Sequence, residues 1–166
     1  MSVDTYCQQP QLYYGVIPMP SDKEVLLQMA TGLQYIHLQN LIHRDVKPGN
    51  ILISGDRPES VLKWCDFGVS KKVDRNGIEW SSRQGTKGWM APEVDVEAGN
   101  DQNVIAGDKS DIFSLGCVFF FFLTPAIHPF GNSSDERRKN IKSRKEPKNI
   151  NSMTPVNIND AYNDKY

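Results

Sequence analysis

Length, composition and charge describe a chain that can form one globular domain. The 166 residues are 39% hydrophobic and 23% charged, with a net charge of −1, which excludes a disordered polyelectrolyte and a dedicated polyanion-binding protein. The cysteines, Cys7, Cys65 and Cys117, are widely spaced, so we expect neither a disulfide scaffold nor a four-ligand zinc site. No secretory signal opens the chain, and its most apolar stretch, Ile112–Leu123, is shorter than the roughly 20 residues that cross a membrane. We therefore expect a soluble, cytoplasmic protein.

The N-terminal half predicts a loop, a helix and a hairpin. Residues 1–20 carry three prolines and no lasting periodicity, so we expect a loop there. Ser21 and Glu24 have the spacing of a capping box, and apolar residues then recur every three or four positions, which predicts a helix of about five turns. Two β-prone runs, Ile51–Ile53 and Val61–Trp64, flank a turn-forming segment and predict a hairpin.

The C-terminal half predicts two polar loops, a buried helix and a basic tail. Residues 70–90 and 94–110 are polar with little periodicity, which is typical of exposed loops. The stretch Ile112–Leu123 is apolar on every side and predicts a helix in the middle of the domain. Residues 132–166 are basic and rich in asparagine, and we expect a poorly ordered tail. Its basic run is either a solvated surface, the commoner case, or a site for RNA, DNA or an acidic membrane.

Three short motifs carry the chemistry. His43–Asn50 (H-R-D-V-K-P-G-N) precedes the first strand of the predicted hairpin, Asp66–Gly68 (D-F-G) follows the second strand, and Ala91–Glu93 (A-P-E) ends the first polar loop. Each motif is weak alone, but in this order they form the C-terminal half of the protein-kinase signature. Phosphoryl transfer needs a group that orients and deprotonates the acceptor hydroxyl, and divalent cations on the phosphates.

Four polar residues of these motifs suit those tasks. Asp45 is placed to take the proton of the acceptor hydroxyl, and Lys47 to reach the transferring phosphate. Asn50 and Asp66 offer oxygen ligands for magnesium, a hard cation. Antiparallel pairing of the hairpin strands would bring both residues to the same level, facing one cleft with Asp45. The alternative is structural: Asp45 as a turn residue and Asp66 as a cap at the end of a strand.

In these motifs the chain resembles the eukaryotic serine/threonine protein kinases, over residues 21–131. Within them it is similar to the kinase/endoribonucleases that sense unfolded protein in the endoplasmic reticulum, in the stretches Asp66–Lys72, Gly85–Glu93, Ser110–Phe119 and His128–Gly131. The resemblance implies an α+β, kinase-like fold, made of a mainly α C-terminal lobe with a small β-hairpin. It also implies ATP and Mg²⁺ as cofactors and a protein substrate, with the chain itself or a related kinase in trans as candidates.

The resemblance assigns roles around the nucleotide. It implies Asp45 and Lys47 as catalytic residues. Lys47, Asn50, Leu52 and Asp66 would contact ATP, with Leu52 as the floor under the adenine ring. Asn50 and Asp66 would also hold Mg²⁺.

It assigns further roles in the activation loop and the core. Arg44 would hold a phosphate on the activation loop, where Ser81 and Ser82 are either phosphorylation sites or ordinary loop serines. Thr86 would lie beside the catalytic aspartate. The remaining roles are structural: His43 and Phe67 stacked in the core, Gly68 in D-F-G, Glu93 in A-P-E, and Asp111 bonded to the catalytic-loop backbone.

The chain departs from the family pattern at both ends. Only 42 residues precede His43, and they contain no G-x-G-x-x-G and no V-A-I-K, so we expect the N-terminal lobe to be missing and residues 1–20 to be a hinge remnant. After Gly131 no apolar helices match the end of the C-terminal lobe, so Glu93 would lack its usual arginine partner. We expect no ribonuclease extension and no nucleic-acid partner. Three interpretations stay open: an impaired kinase fragment, a non-catalytic interaction module, and a partial gene product.

Overall fold

The structure, a computed structural model, describes residues 1–55, 60–73, 79–81, 84–95 and 104–147, with the backbone alone for 79–81 and 104–106. In this part of the chain there are five α-helices, one short 3₁₀ helix at Pro48–Asn50 and three two-stranded sheets. This mixture of helices and small sheets agrees with the predicted α+β class.

Two short helices occupy the start of the chain, α1 at Val3–Gln8 and α2 at Pro10–Tyr13. The Ser2 hydroxyl accepts the backbone N–H of Thr5 at 3.2 Å and caps α1, while a proline begins α2, where its missing N–H removes no helical hydrogen bond. The prediction of a loop over residues 1–20 is therefore wrong for these two segments. Helices this short show no lasting periodicity, so only their caps signal them.

The long helix α3 spans Asp22–Leu38, as predicted. The Ser21 hydroxyl accepts the backbone N–H of Glu24 at 3.3 Å, which confirms the predicted N-cap. The indole N–H of Trp64 donates to the Met29 carbonyl at 3.0 Å and ties the helix to the hairpin. The buried face of α3 consists of Val25, Met29, Leu33 and Ile36.

The strands form three short antiparallel pairs: β1 (Leu41–Ile42) with β4 (Lys71–Lys72), β2 (Ile51–Ser54) with β3 (Val61–Trp64), and β5 (Glu79–Ser81) with β6 (Val104–Ala106). The second pair is the predicted hairpin, with Ile51 opposite Trp64. The other two pairs place β4, β5 and β6 inside the predicted loops 70–90 and 94–110, so those predictions are wrong at the strands. Strands of two or three residues that pair with distant segments have no alternating pattern to reveal them.

The apolar helix α4 spans Asp108–Leu123 and lies in the core, as predicted, but it begins four residues before Ile112, inside the predicted loop 94–110. Leu115, Val118 and Phe121 are each at most 5% exposed, whereas Ile112 is 54% exposed. The helix is therefore covered on most sides but not on all. No helix in the described ranges combines the length and apolar character that a membrane span requires.

A last helix, α5, spans Ser134–Lys142, inside the tail predicted to be poorly ordered. The Ser133 hydroxyl caps it by accepting the N–H of Glu136 at 3.1 Å, and Ile141, 3% exposed, anchors it in the core. The prediction of disorder is wrong here, because a highly charged helix with one buried apolar residue shows no hydrophobic stripe. Residues 148–166 lie outside the described part of the chain.

Candidate active site

A buried carboxylate on α4 holds the loop His43–Asn50, called the catalytic loop below after the kinase motif that it carries. Asp111, 2% exposed, accepts the backbone N–H of His43 at 2.8 Å and that of Arg44 at 2.9 Å. Its Oδ2 also lies 2.9 Å from Nε2 of His37 on α3. The carboxylate thus pairs two backbone donors that would otherwise lie beside it without partners. This is the position that the kinase resemblance implies for Asp111.

Asp45 lies at the centre of a cluster of four polar side chains. Its Oδ2 accepts hydrogen bonds from Lys47 Nζ at 2.7 Å and from Asn50 Nδ2 at 3.0 Å. Its Oδ1 accepts the Thr86 hydroxyl at 2.6 Å, and Lys47 Nζ also reaches that hydroxyl at 2.6 Å. Three donors hold the carboxylate in one orientation.

The same contacts set the charge of Asp45. Burial by itself raises the pKa of this carboxyl, but hydrogen bonds from Lys47, Thr86 and Asn50, together with the Lys47 charge, outweigh it. The net result is that the pKa of Asp45 lies below its usual value. Asp45 is therefore ionised at neutral pH and can accept a proton from a bound hydroxyl.

Asn50 and Asp66 lie at neighbouring positions at the end of the hairpin. The backbone N–H of Cys65 donates to the Asn50 carbonyl at 3.0 Å. Asp66 is the next residue after Cys65, so its backbone lies next to this hydrogen bond. The Asn50 side chain donates through Nδ2 to Asp45, to its carbonyl at 2.8 Å and to its carboxylate. Its Oδ1 is the atom that remains for a cation.

Asp66 is exposed and has a backbone φ of +62°, and its carboxylate accepts a long hydrogen bond of 3.4 Å from the Gly68 N–H. One carboxylate and one amide oxygen fit Mg²⁺, which proteins commonly bind through one or two carboxylates while phosphates and water fill the other positions. Among the described residues no three His, Cys, Asp or Glu side chains gather into a metal cage of their own.

His43 is a structural link between the catalytic loop and the D-F-G segment. Its ring is fully buried and lies 5.2 Å from the Phe67 ring and 5.4 Å from the Trp64 ring. Nδ1 accepts the backbone N–H of Asp45 at 3.4 Å. The proton is therefore on Nε2, which donates to the Cys65 carbonyl at 3.1 Å.

Leu52 and Arg44, the residues that the kinase resemblance assigns to the adenine ring and to an activation-loop phosphate, lie close to these residues in the chain. Leu52 is 45% exposed and occupies the face of β2 opposite the buried Ile51 and Ile53. Arg44 has a φ of +68°, and its Nε donates to the Val69 carbonyl at 2.5 Å. Of the candidate phosphorylation sites, Ser81 has a described backbone in β5, and Ser82 lies outside the described residues.

Sequence reasoning misses a set of contacts where the segment 84–95 meets α5. The Glu93 carboxylate accepts the Ser110 hydroxyl of α4 at 2.8 Å, whereas ion pairs to α5 join Asp95 to Arg138 and Lys87 to Asp135. Trp89, 7% exposed, is ringed by aromatic and basic groups of the C-terminal part. No local pattern announces the Asp95–Arg138 pair, because its members are 43 residues apart.

The comparisons with known proteins agree with this geometry. The protein kinase domain profile matches residues 5–165. The chain belongs to the protein kinase family. The matched range includes the last four residues of α1 and the whole of α2 and α5, and so extends beyond residues 21–131 on both sides.

Curated relatives of this chain include serine/threonine-protein kinase/endoribonucleases and a Schizosaccharomyces pombe protein named as a sensor for unfolded proteins in the ER, which confirms the predicted resemblance. The human serine/threonine-protein kinase/endoribonuclease IRE2 is 38% identical over 137 residues, which cover 80% of this chain and 14% of the human protein. The serine/threonine-protein kinase/endoribonuclease ire-1 of Caenorhabditis elegans is 37% identical over 147 residues, covering 84% of this chain and 14% of that protein. The serine/threonine-protein kinase cds1 of Schizosaccharomyces pombe is 39% identical over 129 residues, 74% of this chain and 26% of cds1. The kinase thus spans about one-seventh of the length of the first two relatives.

Proposed function

We propose that this kinase carries the catalytic-loop and magnesium side of a site that transfers the γ-phosphate of ATP to a serine or threonine hydroxyl of a protein. The observation that carries the proposal is the state of Asp45: a carboxylate with a lowered pKa, fixed by three hydrogen-bond donors. The names of the relatives, which are serine/threonine kinases, support the choice of acceptor. Other kinase molecules, including second copies of this chain, are candidate substrates.

Asp45 would act on the acceptor hydroxyl. The acceptor oxygen forms a bond to the γ-phosphorus, the bond from that phosphorus to the bridging oxygen of ADP breaks, and the hydroxyl proton passes to the Asp45 carboxylate. Lys47, 2.7 Å from the Asp45 carboxylate, would place its positive charge beside the transferring group. Thr86 would hold the carboxylate so that one oxygen faces the acceptor.

Asn50 and Asp66 would hold magnesium on the phosphate side. When bound, the cation would neutralise charge on the ATP phosphates. The Asn50 amide donates to Asp45 through Nδ2, which would leave its Oδ1 as the ligand for the cation. Leu52 would support the adenine from the exposed face of β2.

The isolated chain would bind nucleotide weakly and transfer phosphate slowly. Its 166 residues contain no G-x-G-x-x-G and no V-A-I-K, the motifs that cover the phosphates and pair with them in kinases. Because positioning supplies most of the catalysis in phosphoryl transfer, we expect slow turnover that depends on Mg²⁺.

Transfer of labelled γ-phosphate from ATP to a serine peptide and to a matched tyrosine peptide tests the proposal. We expect slow, Mg²⁺-dependent labelling of the serine peptide alone, and a loss of at least about 100-fold in Asp45→Asn. Asp108→Asn, an exposed residue in the first turn of α4, is the matched control and should keep the wild-type rate. Equal labelling by wild type and Asp45→Asn would overturn the proposal.

A further inference from the structure

We propose that Arg138 of α5 is a positioning residue, which fixes the segment 84–95, and with it Thr86, through an ion pair with Asp95. The restraint on the segment stands on contacts alone, whereas its consequence for phosphotransfer rests on the proposed function.

The Asp95–Arg138 pair joins a buried carboxylate to a partly exposed guanidinium. Nε of Arg138 lies 3.0 Å and 2.7 Å from the two carboxylate oxygens of Asp95. The Asp95 side chain is 3% exposed and that of Arg138 25%. The backbone N–H of Asp95 donates to the Ala91 carbonyl at 3.1 Å, so the carboxylate is fixed to the turn that contains the A-P-E motif. Removing one member of such a pair leaves a buried charge without its partner.

A second ion pair of opposite polarity lies along the same two elements. Lys87 of the segment pairs with Asp135 in the first turn of α5. On the helix, Asp135 and Arg138 are three residues apart and so share one face. The segment contributes a cation and then an anion, and α5 contributes an anion and then a cation. Because each like-charged combination is repulsive, only one register of α5 on the segment satisfies both pairs.

An aromatic contact between the two pairs brings the restraint close to Thr86. The Arg137 guanidinium lies 5.6 Å from the centre of the Trp89 ring. The His128 ring packs edge-on against Trp89, with 4.5 Å between the ring centres. The backbone N–H of Trp89 donates to the Thr86 carbonyl at 3.0 Å, and its carbonyl accepts the Ser114 hydroxyl at 2.8 Å. A shift of α5 would therefore move the turn that presents the Thr86 hydroxyl to the catalytic carboxylate.

The Asp95–Arg138 pair is a contact between opposite charges, which the described contacts of Glu93 in the A-P-E motif do not include. Glu93 accepts a neutral hydroxyl, that of Ser110, so its contact is weaker than an ion pair. Two residues later, Asp95 makes the charged contact. We infer that the electrostatic restraint at the end of the segment has its carboxylate at Asp95 and its cation at Arg138.

Hydrogen exchange of the full chain tests the inference without needing phosphotransfer, so its outcome is independent of the proposed function. In Arg138→Met, which keeps side-chain length and removes the charge, the amides of Trp89, Val94 and Asp95 should exchange at least about tenfold faster, while α3 amides stay unchanged. Asp95→Asn should give the same pattern, and the double variant should add little to it, because both substitutions break one interaction. Arg138→Lys should restore part of the protection.

Lys139→Met is the matched control, since it removes an exposed charge from the same helix, and its segment should exchange as in wild type. The inference is wrong if Arg138→Met leaves the segment unchanged, if it speeds α3 exchange equally, or if the control behaves in the same way. In the phosphotransfer assay Arg138→Met should raise KM for the peptide or lower kcat with KM for ATP unchanged; a rise in KM for ATP alone would contradict a role through Thr86.

Discussion

The catalytic loop and the segment 84–95 meet at Asp45 and Thr86, but they are held in different ways. Two backbone N–H groups of the loop donate to the Asp111 carboxylate, which is buried in the core. The segment is held from the side by α5, through charged side chains of which one pair is largely exposed. The position of the loop therefore depends on one buried carboxylate and on hydrogen bonds within the loop itself, whereas the position of the segment depends on a few side chains of α5. We therefore expect the Asp45 carboxylate to be rigid and the segment 84–95 beside it to be more easily displaced.

The largest effect should follow from removing the loop anchor. Asp111→Ala leaves the backbone N–H groups of His43 and Arg44 without their acceptor, so we expect the free energy of unfolding to fall by about 3–5 kcal/mol. Urea denaturation followed by circular dichroism measures it. Asp108→Ala, in the first turn of the same helix, should lose less than about 1 kcal/mol. Equal losses in the two variants would mean that Asp111 is an ordinary helix residue and not an anchor.

A second prediction concerns the pH dependence of stability and His128, whose ring packs on Trp89 of the segment. Burial, and to a smaller extent the nearby Arg137 charge, lower the pKa of His128 from 6.5 to about 3. Between these values the unfolded chain binds the proton and the folded chain does not, so stability rises with pH. Lowering the pH from 6.5 to 4.5 should cost about 2–3 kcal/mol through this group.

The measurement is urea denaturation of wild type and His128→Asn at both pH values. Asparagine keeps an acceptor for the Phe130 N–H that His128 Nδ1 now accepts at 3.2 Å, and it does not titrate. The variant should be less stable at pH 6.5 but lose less on acidification, because the His128 contribution is removed while all other titratable groups are the same in both proteins. If both proteins lose the same free energy, His128 is not held neutral by the fold.

The smallest effect on stability should come from Leu52 in β2, the strand that follows the catalytic loop. Since its side chain is 45% exposed, Leu52→Ala should change the free energy of unfolding by less than about 0.5 kcal/mol. As an adenine floor it should still weaken ATP binding about fivefold, through lost apolar contact. Leu27→Ala, 50% exposed on α3, is the matched control for calorimetric titration. Unchanged affinity in Leu52→Ala would remove Leu52 from the nucleotide site.

Sequence reasoning predicts well the part of the molecule that consists of α3, the catalytic loop and the hairpin of β2 and β3. Its helix starts at a capping serine, Ser21, and its hairpin strands are long enough to alternate, so their type and pairing follow from local patterns. The placement of Asn50 near Asp45 also follows, because the hairpin brings the motif residues to one level. The place of Thr86 beside Asp45, by contrast, was implied only by the kinase resemblance and not by the spacing of the motifs.

The segment and α5 are the part that sequence reasoning misses. The fold of α5 depends on Ile141 and on ion pairs to residues about forty positions earlier, which no local window contains. One signal was present: Ser133 and Glu136 repeat the capping-box spacing of Ser21 and Glu24. At the N-terminus, the capping Ser2 gave a similar hint of α1. Caps were therefore more informative than hydrophobic periodicity for the short and the charged helices.

Calorimetric titration of the chain with ATP, with Mg²⁺ and then with EDTA, tests the central claim most directly, because it reads the Asn50–Asp66 site without requiring turnover. The account predicts weak binding in Mg²⁺ that falls sharply on chelation and disappears in Asp66→Ala, while Asp108→Ala binds as wild type does. Tight ATP binding that persists in EDTA, or binding unchanged by Asp66→Ala, would contradict it.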